Sequence, residues 1–184
     1  MFTCVAAQEQ VAKGGLLIDS VRSFGGTLSE CEFWVVEADS ANAFCDSLDR
    51  AGVRILELEV RDSIESYLFA RKVSACATVE SVAKGEARTI VWLIPECLIV
   101  RPPRLFVLDG AVRAAVRPVH IVNVGSPVEE EPDAFSRGVY DTTGVPGEDR
   151  GVRSFIEDRA IRPYYNSAAM SLDPDAGGET RDAS

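Results

Sequence analysis

Thr89-Ile90-Val91-Trp92-Leu93-Ile94-Pro95-Glu96-Cys97-Leu98-Ile99-Val100 is a dense apolar run broken by a single Pro-Glu pair. Thr89 to Leu93 is β-branched and aromatic at successive positions, so both faces of a strand there would be apolar. That is the pattern of a central strand in a parallel sheet covered on both sides. Pro95 cannot donate to a ladder, so the strand ends before it. Glu96 is then the one acid in the turn. In open α/β sheets ligands bind beyond the carboxyl ends of the strands. A carboxylate at that place can hold a divalent cation or accept a hydrogen bond from a hydroxyl. It can equally be a solvated turn residue, and the residues alone leave both open.

Working outward, Ser66 to Ala83 predicts a helix, with Leu68, Val73, Cys76, Val79 and Val82 on one face and Gly85 as its stop. Phe2 to Ala7 predicts a short buried strand. Val11 to Phe24 follows as a helix with Leu16, Leu17, Val21 and Phe24 apolar, closed by Gly25-Gly26. Phe33 to Val36 predicts a second strand, Asn42 to Ala51 a short helix stopped by Gly52, and Val53 to Val60 a third strand. Strands alternating with helical segments predict a three-layer α/β/α domain with a mostly parallel sheet. A single domain is expected over residues 1–172.

The pattern changes after Pro102-Pro103. Leu105 to Leu108 and Val119 to Val124 predict strands. Ser126 to Arg153 is poor in apolar residues, with a small helix around Ala134 to Tyr140 and a solvated run at Glu129, Glu130 and Glu131. From Ser171 onward little is apolar, and residues 173–184 are expected to be a disordered tail.

The 184 residues carry 19 Lys plus Arg against 29 Asp plus Glu, a formal net charge of −10. That balance argues against a non-specific nucleic-acid or anionic-membrane binder, local basic sites excepted. No apolar stretch is long enough to span a bilayer, and the first residues lack the basic region of a signal peptide, so a cytoplasmic protein is expected. The five cysteines are widely spaced and odd in number, which favours reduced thiols. One histidine, His120, cannot build a His-rich metal site, and its neighbours Val119, Ile121 and Val122 read as a strand. Cys97 adjoins Glu96, yet no Cys-His pair stands at a readable spacing. Neither G-x-x-x-x-G-K-[ST] nor G-x-G-x-x-G occurs, which weighs against a P-loop NTPase and a dinucleotide oxidoreductase. Asp39, after the second strand, can accept a nucleoside hydroxyl or cap the helix expected from Ala41.

Arg71-Lys72-Val73-Ser74-Ala75 on a helix, followed by Val91-Trp92-Leu93 on a strand, resembles the centre of the GT-A family of nucleotide-sugar glycosyltransferases, in particular its glycogenin-like and galactosyltransferase-like branch. Ile161-Arg162-Pro163-Tyr164-Tyr165-Asn166-Ser167-Ala168-Ala169-Met170 resembles the Asn-containing segment that borders the sugar and acceptor site in that family. The resemblance implies a GT-A-like fold and a nucleoside-diphosphate sugar as donor. It places Glu96 at a Mn²⁺ or Mg²⁺ ion or the donor sugar, Arg71 or Lys72 near phosphate, Asp39 near the nucleoside and Asn166 near sugar hydroxyls. The chain departs from the family at Ile94-Pro95-Glu96, where the family has Asp-x-Asp, and at Ala168 or Ala169, where it has glycine. It also stops short of the family's C-terminal region, leaving apolar surface that a second copy could cover as a homodimer. Two readings follow: a glycosyltransferase, or a member without catalysis that binds nucleotide or serves a structural or interaction role.

Overall fold

A computed structural model describes residues 1–37, 48, 52–58, 60, 66–67, 69–119, 121–122, 126–144 and 151–176. In chain order the elements are β1 (Phe2–Ala6), α1 (Val11–Phe24), β2 (Phe33–Glu37), β3 (Val53–Glu57), α2 (Ala70–Ala83), β4 (Ile90–Leu93), β5 (Ala114–Pro118), α3 (Ala134–Thr143), β6 (Val152–Arg153), β7 (Ala160–Ile161) and β8 (Tyr165–Leu172). The chain divides into two compact units, Met1–Ala115 with Ala168–Ser184, and Val116–Ser167.

The central sheet has six strands in the order β3-β2-β1-β4-β8-β5. The pairs β2–β3, β1–β2 and β1–β4 are parallel, whereas β8 runs antiparallel to β4. The expected mixed α/β architecture, mostly parallel and with β4 inside the sheet, is what the structure contains. Side-chain alternation then sorts the first unit into layers. Phe2, Cys4, Phe33, Val35, Val91 and Leu93 face one side and pack with Leu17, Ile18 and Val21 of α1. Trp34, Val36, Ile90 and Trp92 face the other side and pack with Ala75, Val79 and Ala83 of α2.

Each helix departs from its expected apolar stripe. On α1, Leu17, Ile18 and Val21 are buried beside Gly14 and Gly15, while Leu16 and Phe24 are exposed. The buried face therefore runs through Gly14, Gly15, Leu17, Ile18 and Val21 and leaves Leu16 to solvent. α2 begins at Ala70 rather than Ser66, and its buried residues are Ala70, Ala75, Val79 and Ala83, with Val73 exposed. Small alanines leave room for the bulky Trp34 and Trp92 rings of the sheet. Leu68 lies outside the described residues, as do most of the helix expected over Asn42 to Ala51 and the residue His120.

Leu105 to Leu108 is not a strand. Pro102-Pro103 remove two ladder donors, and Arg104–Phe106 closes as a 3₁₀ turn, with the Phe106 and Val107 N–H groups donating to Pro103 and Arg104 carbonyls. The next strand is Ala114–Pro118, earlier than the expected Val119 to Val124, of which 120, 123 and 124 are not described. Ser171 and Leu172 belong to β8 rather than to a tail: Ser171 pairs with Val91, Leu172 with Ile90, and Ser171 is fully buried. The small helix expected near Ala134 is α3, capped by the Asp133 carboxylate, which accepts the Ser136 N–H at 2.7 Å, and stopped by left-handed Gly144. Among the described residues, no helix is long and apolar enough to cross a membrane.

Candidate functional site

After β1 the chain passes into α1 and crosses to β2, while β4 lies on the opposite side of β1. Strand order therefore reverses between β1 and β4, and the carboxyl ends of these two strands flank a topological switch point, the place where open α/β sheets form ligand crevices. Ala7 follows β1, and Ile94-Pro95-Glu96 follows β4.

A small polar network bridges that point. Lys13 Nζ donates to Glu96 Oε1 at 2.9 Å, and Gln10 Nε2 donates to the same oxygen at 3.3 Å. The Gln10 side-chain oxygen Oε1 in turn accepts the Ala7 N–H at 3.2 Å. Lys13 and Gln10 come from the segment after β1 and Glu96 from the turn after β4. The hydrogen bond from Lys13 holds the Glu96 carboxyl below its ordinary range, with partial desolvation opposing it and the Gln10 bond adding to it. Both side chains are largely exposed, so the pair contributes at most ~1 kcal/mol. It is open to exchange with a ligand.

Lys72, half-buried in the first turn of α2, lies near enough to the Cys97 thiol, next to Glu96, for each to bear on the other's ionisation. Burial lowers the Lys72 amine below the ordinary lysine value, with Cys76 and Cys97 opposing that shift. Arg71, one residue earlier, is exposed on α2. Asp39 lies outside the described residues. Asn166 is in the second unit, where it is exposed on β8 and lines a cavity of about 800 Å³ together with Arg117, Val119 and Phe155. The first unit holds a separate cavity of about 470 Å³, but Met1, Glu32 and Thr89 in its wall put it at the amino ends of β1, β2 and β4, the opposite edge from Glu96.

Lys13 and Gln10 were not among the sequence candidates, whereas Glu37 stands at a strand end, where ligands are expected. The first two stand one helical turn apart in the segment after a strand, a spacing that does place two side chains on one face. Glu37 ends β2 and is paired in register with Ala6 on one side and Glu57 on the other. It is 7% exposed, and its Oε1 has no hydrogen-bond partner among the described residues. Its signal was its place as the last residue of the strand.

Ile94 supplies no ligand atom, and among the described residues no group of three or more His, Cys, Asp and Glu side chains gathers around a common point. A hard cation takes about six oxygen ligands, of which substrate phosphates and water often furnish most. One carboxylate therefore fits a cation carried by a diphosphate and does not fit a resident ion held by protein alone.

Solved structures of similar fold include glycosyltransferases. Galactosyltransferase LgtC, in complex with donor and acceptor sugar analogues, is 12% identical with a TM-score of 0.56 over 95% of this chain and 58% of that one. The bifunctional glycosyltransferase WbbM is 11% identical with a TM-score of 0.58 over 94% of this chain and 31% of that one. Core-mannan synthase A from Aspergillus fumigatus, in its Mn/GDP form, is 7% identical with a TM-score of 0.54 over 95% and 59%. The chain thus spans little more than half of LgtC and of the mannan synthase. No protein-family profile matches it, and no curated protein matches it in sequence. At these identities the likeness establishes the GT-A-type fold.

Proposed function

We propose that this chain is a glycosyltransferase-type domain that binds a nucleoside-diphosphate sugar at the carboxyl edge of β1 and β4. The observation that carries the reading is the Lys13–Gln10–Glu96 network across the switch point, with Lys72 near the adjoining Cys97. Glycosyl transfer leaves negative charge on the departing diphosphate, and a transferase must neutralise it. Lys72 and Arg71 are the cations for that task, a guanidinium being suited to paired phosphate oxygens. Glu96 would hold a divalent ion accompanying the diphosphate, in exchange for Lys13, and such an ion polarises the phosphoryl oxygens. Separately, Asn166 in the cavity of the second unit can donate and accept, which suits a sugar hydroxyl bound there.

A second reading is favoured by Ile94 and by the pairing of Glu96 with Lys13: donor binding without transfer. Titration calorimetry with nucleoside diphosphates and their sugars, with and without Mn²⁺, addresses both. Binding is expected, and Glu96→Ala should lower the Mn²⁺-dependent affinity at least about tenfold, or 1.4 kcal/mol, with an almost unchanged melting temperature. Binding by none of the panel would overturn both readings. Binding with no transfer to any acceptor, and no hydrolysis of the donor, would select the second.

A further inference from the structure

The segment after Glu96 is strapped along α1. Glu96 meets Lys13 in the first turns of the helix, the Ile99 N–H donates to Ser20 Oγ at 2.9 Å, and Pro102 lies against Gly26 just past the helix end. With Ile99 turned inward, its neighbours Leu98 and Val100 point out, 58% and 75% exposed. The 3₁₀ turn that follows leaves Leu105 at 90% and Val107 at 56%. Folding leaves all four of these aliphatic side chains in water. Arg101 and Arg104 stand between them, both exposed, and neither is in an ion pair among the described residues. No acid occurs between Glu96 and Asp109, in a chain whose net charge is −10.

We propose that Leu98 to Val107 is a docking edge for an anionic lipid surface. Leu98, Val100, Leu105 and Val107 enter the boundary between headgroups and acyl chains, and Arg101 and Arg104 pair with lipid phosphates. Apolar insertion and attraction of basic side chains to an anionic leaflet add together in such contacts. The overall acidity does not oppose this strongly, because charges more than about 8 Å away are screened at physiological salt. A lipid surface fits this edge better than a protein partner does. The exposed apolar residues are separate aliphatic side chains projecting from an irregular, proline-held backbone, and a fluid medium accepts them without a matching groove. Protein hot spots favour Trp and Tyr alongside Arg, and the edge exposes neither aromatic residue.

Flotation with vesicles of phosphatidylcholine alone, and with about one third phosphatidylglycerol, tests the edge independently of donor binding. The protein should float with the anionic vesicles, fail to float with the neutral ones, and be released at about 0.5 M salt. Val100→Asp/Leu105→Asp should cut the floated fraction about fivefold or more, and Arg101→Gln/Arg104→Gln should do the same on anionic vesicles. All four positions are exposed, and circular dichroism melts check that the variants fold. The proposal is overturned if the protein floats with neither composition, or if both variants float as the parent does. It is also overturned if sedimentation velocity finds a dimer that Leu105→Asp separates while vesicles are ignored, which would assign the edge to a second copy.

Discussion

Cys4 lies in β1 with no exposed surface, and burial, assisted by the charge of Glu96, pushes its thiol up to about 12. Cys76 on α2 is raised to about 11, again chiefly by burial, with Lys72 opposing and Glu80 reinforcing the shift. Both thiols stay protonated in the folded chain while the same groups ionise near 9 once unfolded. A group with a raised folded pKa gives its full stabilising effect below the unfolded value and loses it as pH climbs toward the folded one. Stability should therefore be flat in this respect up to about pH 8.5 and fall between about pH 9 and 11, by up to 1.4 kcal/mol per pH unit for each thiol. Urea unfolding at a series of alkaline pH values checks the sign. A Cys4→Ala/Cys76→Ala variant should be less stable at neutral pH and show a shallower alkaline decline.

At the scale of elements, the end of α1 is tied down by one side chain. Arg22 donates to the Ser29 carbonyl, to the Cys31 carbonyl at 2.6 Å and to the Gly52 carbonyl at 3.0 Å. It thereby joins the helix to the loops entering β2 and β3. Gly52 has φ +75, and a Cβ there would stand 2.9 Å from the guanidinium, so glycine answers both the backbone and the space. Arg22→Ala leaves these carbonyls without their charged donor and should cost about 2–3 kcal/mol, hydrogen bonds to charged groups being worth roughly 1.5–3 kcal/mol in net terms. Arg22→Lys, with a single ammonium in place of the planar fork, should recover only part of the loss. Equal stability of all three proteins in chemical denaturation would show that water replaces the clamp without cost.

Across the whole molecule the two units differ in how much they bury. The first unit has Phe2, Trp34, Trp92, Leu17 and Ile18 almost fully buried on the two faces of one sheet. In the second, the buried residues among those described are Ser154 and Ile161, and α3 buries none while Phe135 is 67% exposed. Local stability follows buried apolar contact. Amide protons of α3 should exchange about a hundredfold or more faster, relative to their intrinsic rates, than those of β1 and β4, a gap of roughly 2.7 kcal/mol. Equal protection factors would contradict this ranking.

Periodicity was enough for β1, α1, β2, β3 and β4, because their side chains bury on a sheet whose two faces both need apolar cover, and that demand is written at spacings of two and about 3.6. It was also enough to single out the turn at Glu96, since a central strand must end before Pro95. The buried face of α1 was legible only in part: Leu17 and Val21 are inside as their spacing suggests, whereas the buried Gly14 and Gly15 carry no apolar side chain to mark that face. The last strand was not legible either: Ser171 and Ala169 read as polar or neutral in sequence, and only pairing with Val91 and Leu93 puts them inside. The partners of Glu96 were hidden for a related reason. Lys13 and Gln10 are more than eighty residues away along the chain, and contact between them depends on the order in which parallel strands stack. Local sequence dictates which segments are strand or helix, because propensity and burial period act within a few residues. Which side chains meet at the switch point is set by tertiary structure, because hydrogen bonds and charges act across whatever distance folding has closed.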